Sequence, residues 1–485
     1  MTSRDAEPND RPGRGPANAP ERQPVDPKVD HSLNHSLRDA GAYAVMIGIG
    51  ETYLSAFALH LRATTPQIGL LASVPPLLAS VVQLVSAWIG GLTGRRRSIM
   101  LIGAGIQAFA WLPIALLPLA LSSASVPLLI ASVVLYYCGA NLAAPQWGSL
   151  MGDIVPVRRR GRFFALRTRI VSLVTFVALI GGGLILQAAS SRNATFAGFL
   201  VLFGIAFIAR LISIWHLAQM HDPKRVVVAR KVPDGKHWWD RLRHSNFVRF
   251  SVFFALMQCA VAVASPFFTV YMLRDLEFSY AAFMANTGTA ILAQFLTLNR
   301  WGRISDVFGN RRILATAGLL IPLMPLLWIL SGNFWYLLFV QLLSGLSWAG
   351  FTLSAGNFLY DLVPPERRTT YLAVHNVLAS IGIFAGAMLG GYLGAVLPVR
   401  VDVLGAALTW SSPLLGVFAV SAVLRATVML VLMPKIREVR RVRHASFADL
   451  IFRVTRVNAL AGLFFDIIGP KSGPASRSNT PERKP

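Results

Sequence analysis

Charge is scarce in this 485-residue chain, at 14% of residues, where an ordinary soluble domain carries about 25%. What charge there is leans one way, with 46 Lys and Arg against 22 Asp and Glu and a net of +24. Cysteine is nearly absent. Cys138 and Cys259 both fall inside apolar runs, which excludes a disulfide framework and gives no metal-ligand spacing. No phosphate-binding Walker loop occurs, so ATP is not the evident energy source. No cleavable leader is visible either. Residues 1–37 are polar, rich in Pro and Asp and nearly charge-balanced, and are expected to form a disordered cytoplasmic tail. No cofactor and no metal are expected, and an enzyme is not.

Hydrophobic residues fill the space that charge leaves, at 54% of the chain. Twelve apolar runs can be read, each long enough to cross a hydrocarbon core of about 30 Å. They cover roughly 41–61, 67–90, 98–120, 126–148, 166–188, 196–219, 247–273, 281–300, 313–330, 335–358, 371–396 and 411–433. We number them spans 1 to 12. The basic residues alternate sides. With the N-terminus placed in the cytoplasm, 40 of the 46 Lys and Arg fall in the tails and the loops on that side. The opposite loops hold only Arg62, Arg192, Arg274 and Arg400. The positive-inside rule therefore predicts a multi-pass protein of a cell (inner) membrane with both termini cytoplasmic. The same distribution explains the basic net charge without nucleic acid.

The chain also repeats itself. Asp153-Ile154-Val155-Pro156, followed by Arg158-Arg159-Arg160, returns 208 residues later as Asp361-Leu362-Val363-Pro364, then Arg367-Arg368. Gly182-Gly183 returns as Gly390-Gly391 at the same offset. The fold class expected is an all-α membrane protein, with twelve transmembrane helices in two pseudo-symmetric six-helix bundles. The bundles are expected over 38–219 and 247–434, joined by a cytoplasmic linker over 220–246. Residues 435–469 read as a basic amphipathic helix on the inner leaflet, and 470–485 as a second disordered tail.

Between spans 8 and 9 lies Gly302-Arg303-Ile304-Ser305-Asp306-Val307-Phe308-Gly309-Asn310-Arg311-Arg312. This segment resembles the loop signature of the major facilitator superfamily (MFS), and the sequence around Asp153 and Asp361 is similar to that family as well. The resemblance covers about 41–434. It implies a secondary transporter of a small solute working by alternating access, and it implies that Gly302, Asp306, Gly309, Arg311 and Arg312 form a clasp steadying one state. Asp153, Arg160, Asp361 and Arg368 are expected to join it. The first-half counterpart, Gly90-Gly91-Leu92-Thr93-Gly94-Arg95-Arg96-Arg97, is shorter and has no acid. Export of amphipathic compounds, or a non-transporting assembly factor on the same scaffold, are the alternatives.

One acid lies far from every loop. Glu51 is about 12 residues from Asp39 and 11 from Arg62, which puts it near the bilayer midplane. A charge there costs about 2.5–3.5 kcal/mol on insertion scales, so it should face the bundle interior. Glu51 then either binds a proton or a cationic part of the solute, or bridges helices as a structural acid. The 211-residue offset aligns it with Ala262, so symmetry does not demand it. The resemblance places spans 1, 4, 7 and 10 around a central cavity. This makes Tyr53, Asn141, Gln258 and Gln341 binding candidates alongside Glu51, among rings such as Tyr136, Tyr137 and Trp348. Arg167, aligned with His375, and Arg169 either bind an anionic solute from the cytoplasm or, the favoured reading, pair with Asp153 or lipid phosphate. Arg210 and Arg425 are expected to snorkel to the inner interface. Gly382, Gly386 and Gly390 recur every four residues and predict a helix-packing face. The partners expected are a small solute, the lipid bilayer and protons, with the protein a monomer.

Overall fold

The structure is a computed structural model that describes residues 27–120, 125–156, 160–223, 245–363, 368–398, 400–403, 406–409 and 411–438. Its helices give twelve membrane spans by length and apolar composition. They run Pro27–His60, Thr65–Thr93, Arg96–Leu116, Ser125–Ile154, Leu166–Ser190 and Thr195–Ala218 in the first half. In the second half they run Asn246–Asp275, Tyr280–Ser305, Asn310–Leu330, Phe334–Leu362, Tyr371–Val396 and Pro413–Lys435. The chain is a multi-pass membrane protein. The amphipathic helix expected over 435–469 and the 470–485 tail fall outside the described residues except for 435–438, as does most of the 220–246 linker.

Local chemistry sets the ends of the spans. Span 2 opens with the Gln67 side chain accepting from the Thr64 amide at 2.9 Å, half of a capping box. Ser279 caps span 8 by accepting from the Ala282 amide at 3.2 Å. Asn333 caps span 10 by accepting from the amides of Trp335 and Tyr336. Spans 2 and 8 stop at glycines with positive φ, Gly94 at 65° and Gly309 at 86°, a backbone that side-chain-bearing residues rarely adopt.

Two expectations need correcting. The tail does not stay outside the fold up to residue 37, because span 1 is helical from Pro27 to Ile49. Its polar start is held by burial, since Leu33 packs in a cluster with Met151 and Leu217 and Ser32 accepts from the His221 amide. The fold is the all-α membrane fold expected, with one short antiparallel hairpin, Arg400–Val403 with Ala406–Thr409, in the connection between spans 11 and 12. Span 1 is not one continuous helix. A 3-10 turn over Glu51–Tyr53 separates Pro27–Ile49 from Leu54–His60. Span 7 breaks at the equivalent level, in the turn over 263–266.

The two halves meet at the end of the bundle away from the chain termini. A Cβ on Gly69 of span 2 would press on the Ala387 backbone of span 11, and one on Gly391 on Pro66. The Ala281 amide of span 8 donates to Gln187 Oε1 of span 5 at 3.3 Å, and Arg274 donates to Thr65 Oγ1 at 3.3 Å. The rings of Tyr53 and Phe283 sit 6.2 Å apart across the same seam. A single apolar cluster including Phe57, Leu186, Phe267 and Phe283 runs through it.

Within the second half, span 11 lies directly on span 7 through its glycine row. A Cβ at Gly382, Gly386 or Gly390 would collide with the backbone carbonyl oxygens of Ala255, Cys259 and Val263 respectively. Gly386→Ala is therefore expected to destabilise the protein by about 1–3 kcal/mol, the usual cost of overpacking. Thermal denaturation in detergent reads this directly, and an unchanged midpoint would mean the helices separate freely there.

Candidate functional site

The break in span 1 sets the geometry of Glu51. Gly50 lies against the Trp111 indole so closely that a Cβ would overlap the ring, and the chain turns there to present the next side chain. Glu51 receives two hydrogen bonds from span 4. Tyr136 Oη donates to Oε2 at 2.8 Å and Tyr137 Oη to Oε1 at 2.9 Å. Trp111 packs edge-on against Tyr136, with ring centroids 5.0 Å apart. The carboxyl is half-buried among rings and takes one hydroxyl donor on each oxygen.

The other binding candidates separate. Tyr53 is fully buried, with its hydroxyl donating to the Leu179 carbonyl at 2.6 Å and its ring against Gly182. In this conformation its hydroxyl is engaged within the first half. Asn141 is half-buried and donates to the Tyr137 carbonyl at 3.0 Å. Gln258 is half-buried on span 7. Gln341 lines a cavity of about 190 Å³ inside the second half, together with Ser344, Trp348, Trp328, Phe268 and Arg425.

A second charged centre lies toward the terminal end of the first half. Asp39, with 3% of its surface exposed, accepts from Ser213 Oγ at 2.6 Å, and Ser213 accepts from Arg210 Nη1 at 2.7 Å. Arg167 Nη2 is 3.5 Å from the other carboxylate oxygen. Its guanidinium lies 4.1 Å from the Trp147 ring centroid, and that of Arg210 lies 5.1 Å from the centroid of Tyr43. Two expectations fail here. Arg167 pairs with Asp39 rather than Asp153 or lipid. Arg210 and Arg425 do not snorkel, being 4% and 2% exposed. Their depth was readable from the sequence, but the helix face they occupy was not.

The loop motifs make two sets of contacts at the terminal end, one in each half. In the first half, Arg96 Nη1 meets Asp153 Oδ2 at 2.5 Å and Nε meets Asp222 Oδ1 at 2.8 Å. Arg97 donates to the Ala218 carbonyl. The missing acid of the first-half motif thus arrives from the ends of spans 4 and 6. In the second half Asn310 stands at the start of span 9 as Arg96 does at the start of span 3, and it donates to Asp361 Oδ2 at 2.8 Å. The Arg311 amide donates to Glu438 Oε2 at 3.0 Å, and its Nε to the Ile436 carbonyl at 2.5 Å. Gly309 makes the turn, and Gly302 and Asp306 lie on the last turns of the preceding helix. The side chains of Asp306, Arg160 and Arg368 fall outside the described residues.

Arg96→Ala is expected to lower stability by about 1–3 kcal/mol. It leaves two carboxylates facing each other, and their partial exposure of 39% and 24% lets water offset some of the cost. Arg96→Lys should recover only part of the loss, because an ammonium cannot address both acids in the plane of a guanidinium. Equal melting of the Ala variant and the parent would show that the pairings contribute nothing.

The model of the MFS_1 like family matches residues 43–396. The chain is 24% identical over 168 residues to the multi-drug resistance efflux pump PmrA of Streptococcus pneumoniae serotype 4, a match covering 34% of this chain and 40% of that protein. The matched region thus spans about two fifths of that curated relative. Among solved structures, a D-xylose-proton symporter aligns with a TM-score of 0.62 at 13% identity, over 86% of this chain and 99% of that one. A bacterial homologue of the iron transporter ferroportin, in an inward-facing state, aligns at 0.60 and 14%, over 85% and 100%. These likenesses establish the fold of two six-helix bundles.

Proposed function

The chain belongs to the MFS_1 like family, and from that premise we propose that it is a secondary carrier, moving a small solute across a membrane by alternating access with Glu51 as the proton-binding group. The observation that carries the proposal is the Glu51 site. A carboxyl stands at a helix break in span 1, held among the described residues by two tyrosine hydroxyls from span 4. A purely structural acid at this depth would be expected to have a cationic partner, and among the described residues none pairs with it. The seam between the halves at the distal end suits a state open toward the termini. The fold likeness to a homologue in an inward-facing state supports the same reading. The distribution of Lys and Arg supports placing both termini in the cytoplasm and the protein in a cell (inner) membrane.

Export is the second reading, favoured by the name of the PmrA relative. Both readings share one test. The purified protein is reconstituted with a trapped pH-sensitive dye, and a panel of sugars, nucleosides, amino acids and lipophilic cations is added. At least one solute is expected to drive proton movement that a protonophore abolishes. Vesicles of known orientation then separate uptake from export. A protein that binds members of the panel yet moves neither solute nor protons would overturn the proposal.

A further inference from the structure

The two halves place different chemistry at equivalent positions. In the first half, Arg210 sits in a cluster with Asp39 and Arg167. At the repeat offsets of 211 and 208 residues, Asp39 corresponds to Phe250 and Arg167 to His375, and Arg425 lies in span 12 at a depth similar to that of Arg210 in span 6. The second half therefore keeps the buried guanidinium and replaces the ion cluster with a ring stack, the planes of Phe250 and His375 lying 2° from parallel. Arg425 turns the other way, toward the break in span 7. Nη2 donates to the Val261 carbonyl at 3.3 Å and Nη1 to the Ile321 carbonyl at 3.4 Å. Nε has no partner. Among the described residues no carboxylate pairs with this cation, although it is only 2% exposed. A cation removed from water without a counter-ion is costly.

The space it faces also has a first-half equivalent. Glu51, Tyr136 and Tyr137 fill that level of the first bundle. Their counterparts are Ala262, Ser344 and Gly345. Of these, Ser344 borders a cavity of about 190 Å³ that Arg425 also lines, while Gly345 packs on Ala290 of span 8 and Ala262 faces Gly386 of span 11. Where one half supplies a carboxyl held by two hydroxyls, the other offers a guanidinium, the Ser344 hydroxyl, the Gln341 amide and a wall of Trp328, Trp348 and Phe268.

We propose that this cavity binds the carboxylate of a small, largely apolar acid, which supplies the counter-ion Arg425 lacks. Guanidinium is the side chain best matched to a carboxylate, and the rings accept an apolar body. The cavity is below the ~300–1,000 Å³ of sites for drug-sized ligands, which limits the ligand to the scale of a single ring or short chain. The inference goes beyond the carrier reading and is tested without a gradient. Its failure leaves that reading intact, and a failed flux assay leaves binding intact.

The test uses the full-length protein in detergent, with benzoate, its neutral analogue benzamide, and chloride, read by thermal shift and by quenching of tryptophan fluorescence. Benzoate is expected to raise the melting temperature and quench saturably, with benzamide and chloride at least tenfold weaker. Arg425→Met should weaken benzoate at least tenfold. Ser344→Tyr restores the residue found at the matching first-half position and leaves Arg425 in place. It should abolish benzoate binding while the unliganded protein melts no lower than the parent, and it decides the question if Arg425→Met does not fold. The proposal is overturned if benzoate does not bind, if benzamide or chloride matches it, or if Ser344→Tyr binds it as the parent does.

Discussion

Glu51→Gln is expected to reduce solute-driven proton movement to the level of empty liposomes while the protein still folds and still exchanges labelled solute across the bilayer. The amide keeps the size of the side chain, and its Oε1 still accepts from one tyrosine. It cannot take up or release a proton. The second tyrosine hydroxyl then faces an NH2 group, so a modest loss of stability of about 1–3 kcal/mol accompanies the change. Tyr136→Phe and Tyr137→Phe, made singly, remove one donor each from the carboxyl and should shift the pH dependence of transport without abolishing it. The opposite pattern, with coupling intact in Glu51→Gln and only the melting temperature lowered, would make Glu51 a structural bridge between spans 1 and 4.

Asp39→Asn carries the largest expected cost in stability, about 3–5 kcal/mol, because it leaves two buried cations without their anion. Asp39 and the Arg210 side chain sit almost entirely out of water, and Arg167 keeps 19% of its side chain exposed. Ser213 bridges Asp39 to Arg210, so the neutral amide also disrupts the relay that holds Arg210 against Tyr43. Thermal denaturation and the yield of monodisperse protein measure the effect. A variant within about 0.5 kcal/mol of the parent, the range of an ordinary surface change, would show that water reaches the cluster.

The spans and the duplication were legible because both are written as long apolar runs, and lipid admits little else than helices. The Gly382–Gly386–Gly390 row was legible for a similar reason, since its four-residue spacing fixes one face. Residue-level chemistry was legible only in part. Glu51 stood out as the acid farthest from any loop, but its tyrosine partners lie 85 and 86 residues away, and no local pattern joins them. The first-half loop looked incomplete for the same reason: Asp153 and Asp222 reach Arg96 across 57 and 126 residues. Asp39 is hidden in the sequence because the apolar run begins only at residue 41, whereas the helix begins at Pro27 and carries Asp39 inside. For Arg210 and Arg425, hydropathy gives depth in the bilayer but not the direction a side chain faces. Setting the two halves side by side held the missing signal, since Phe250 stands where Asp39 does.

The central claim is that the two bundles rock about the shared path on which Glu51 stands, closing one end as the other opens. Distances between paired spin labels test it most directly. Labels at Ser191 and Glu277 report the distal end and labels at Thr93 and Val307 the terminal end, with Cys138 and Cys259 first replaced by Ala. The account predicts two populations whose weights shift with pH and solute, the distal pair lengthening as the terminal pair shortens. One fixed distance at each end under every condition would contradict it.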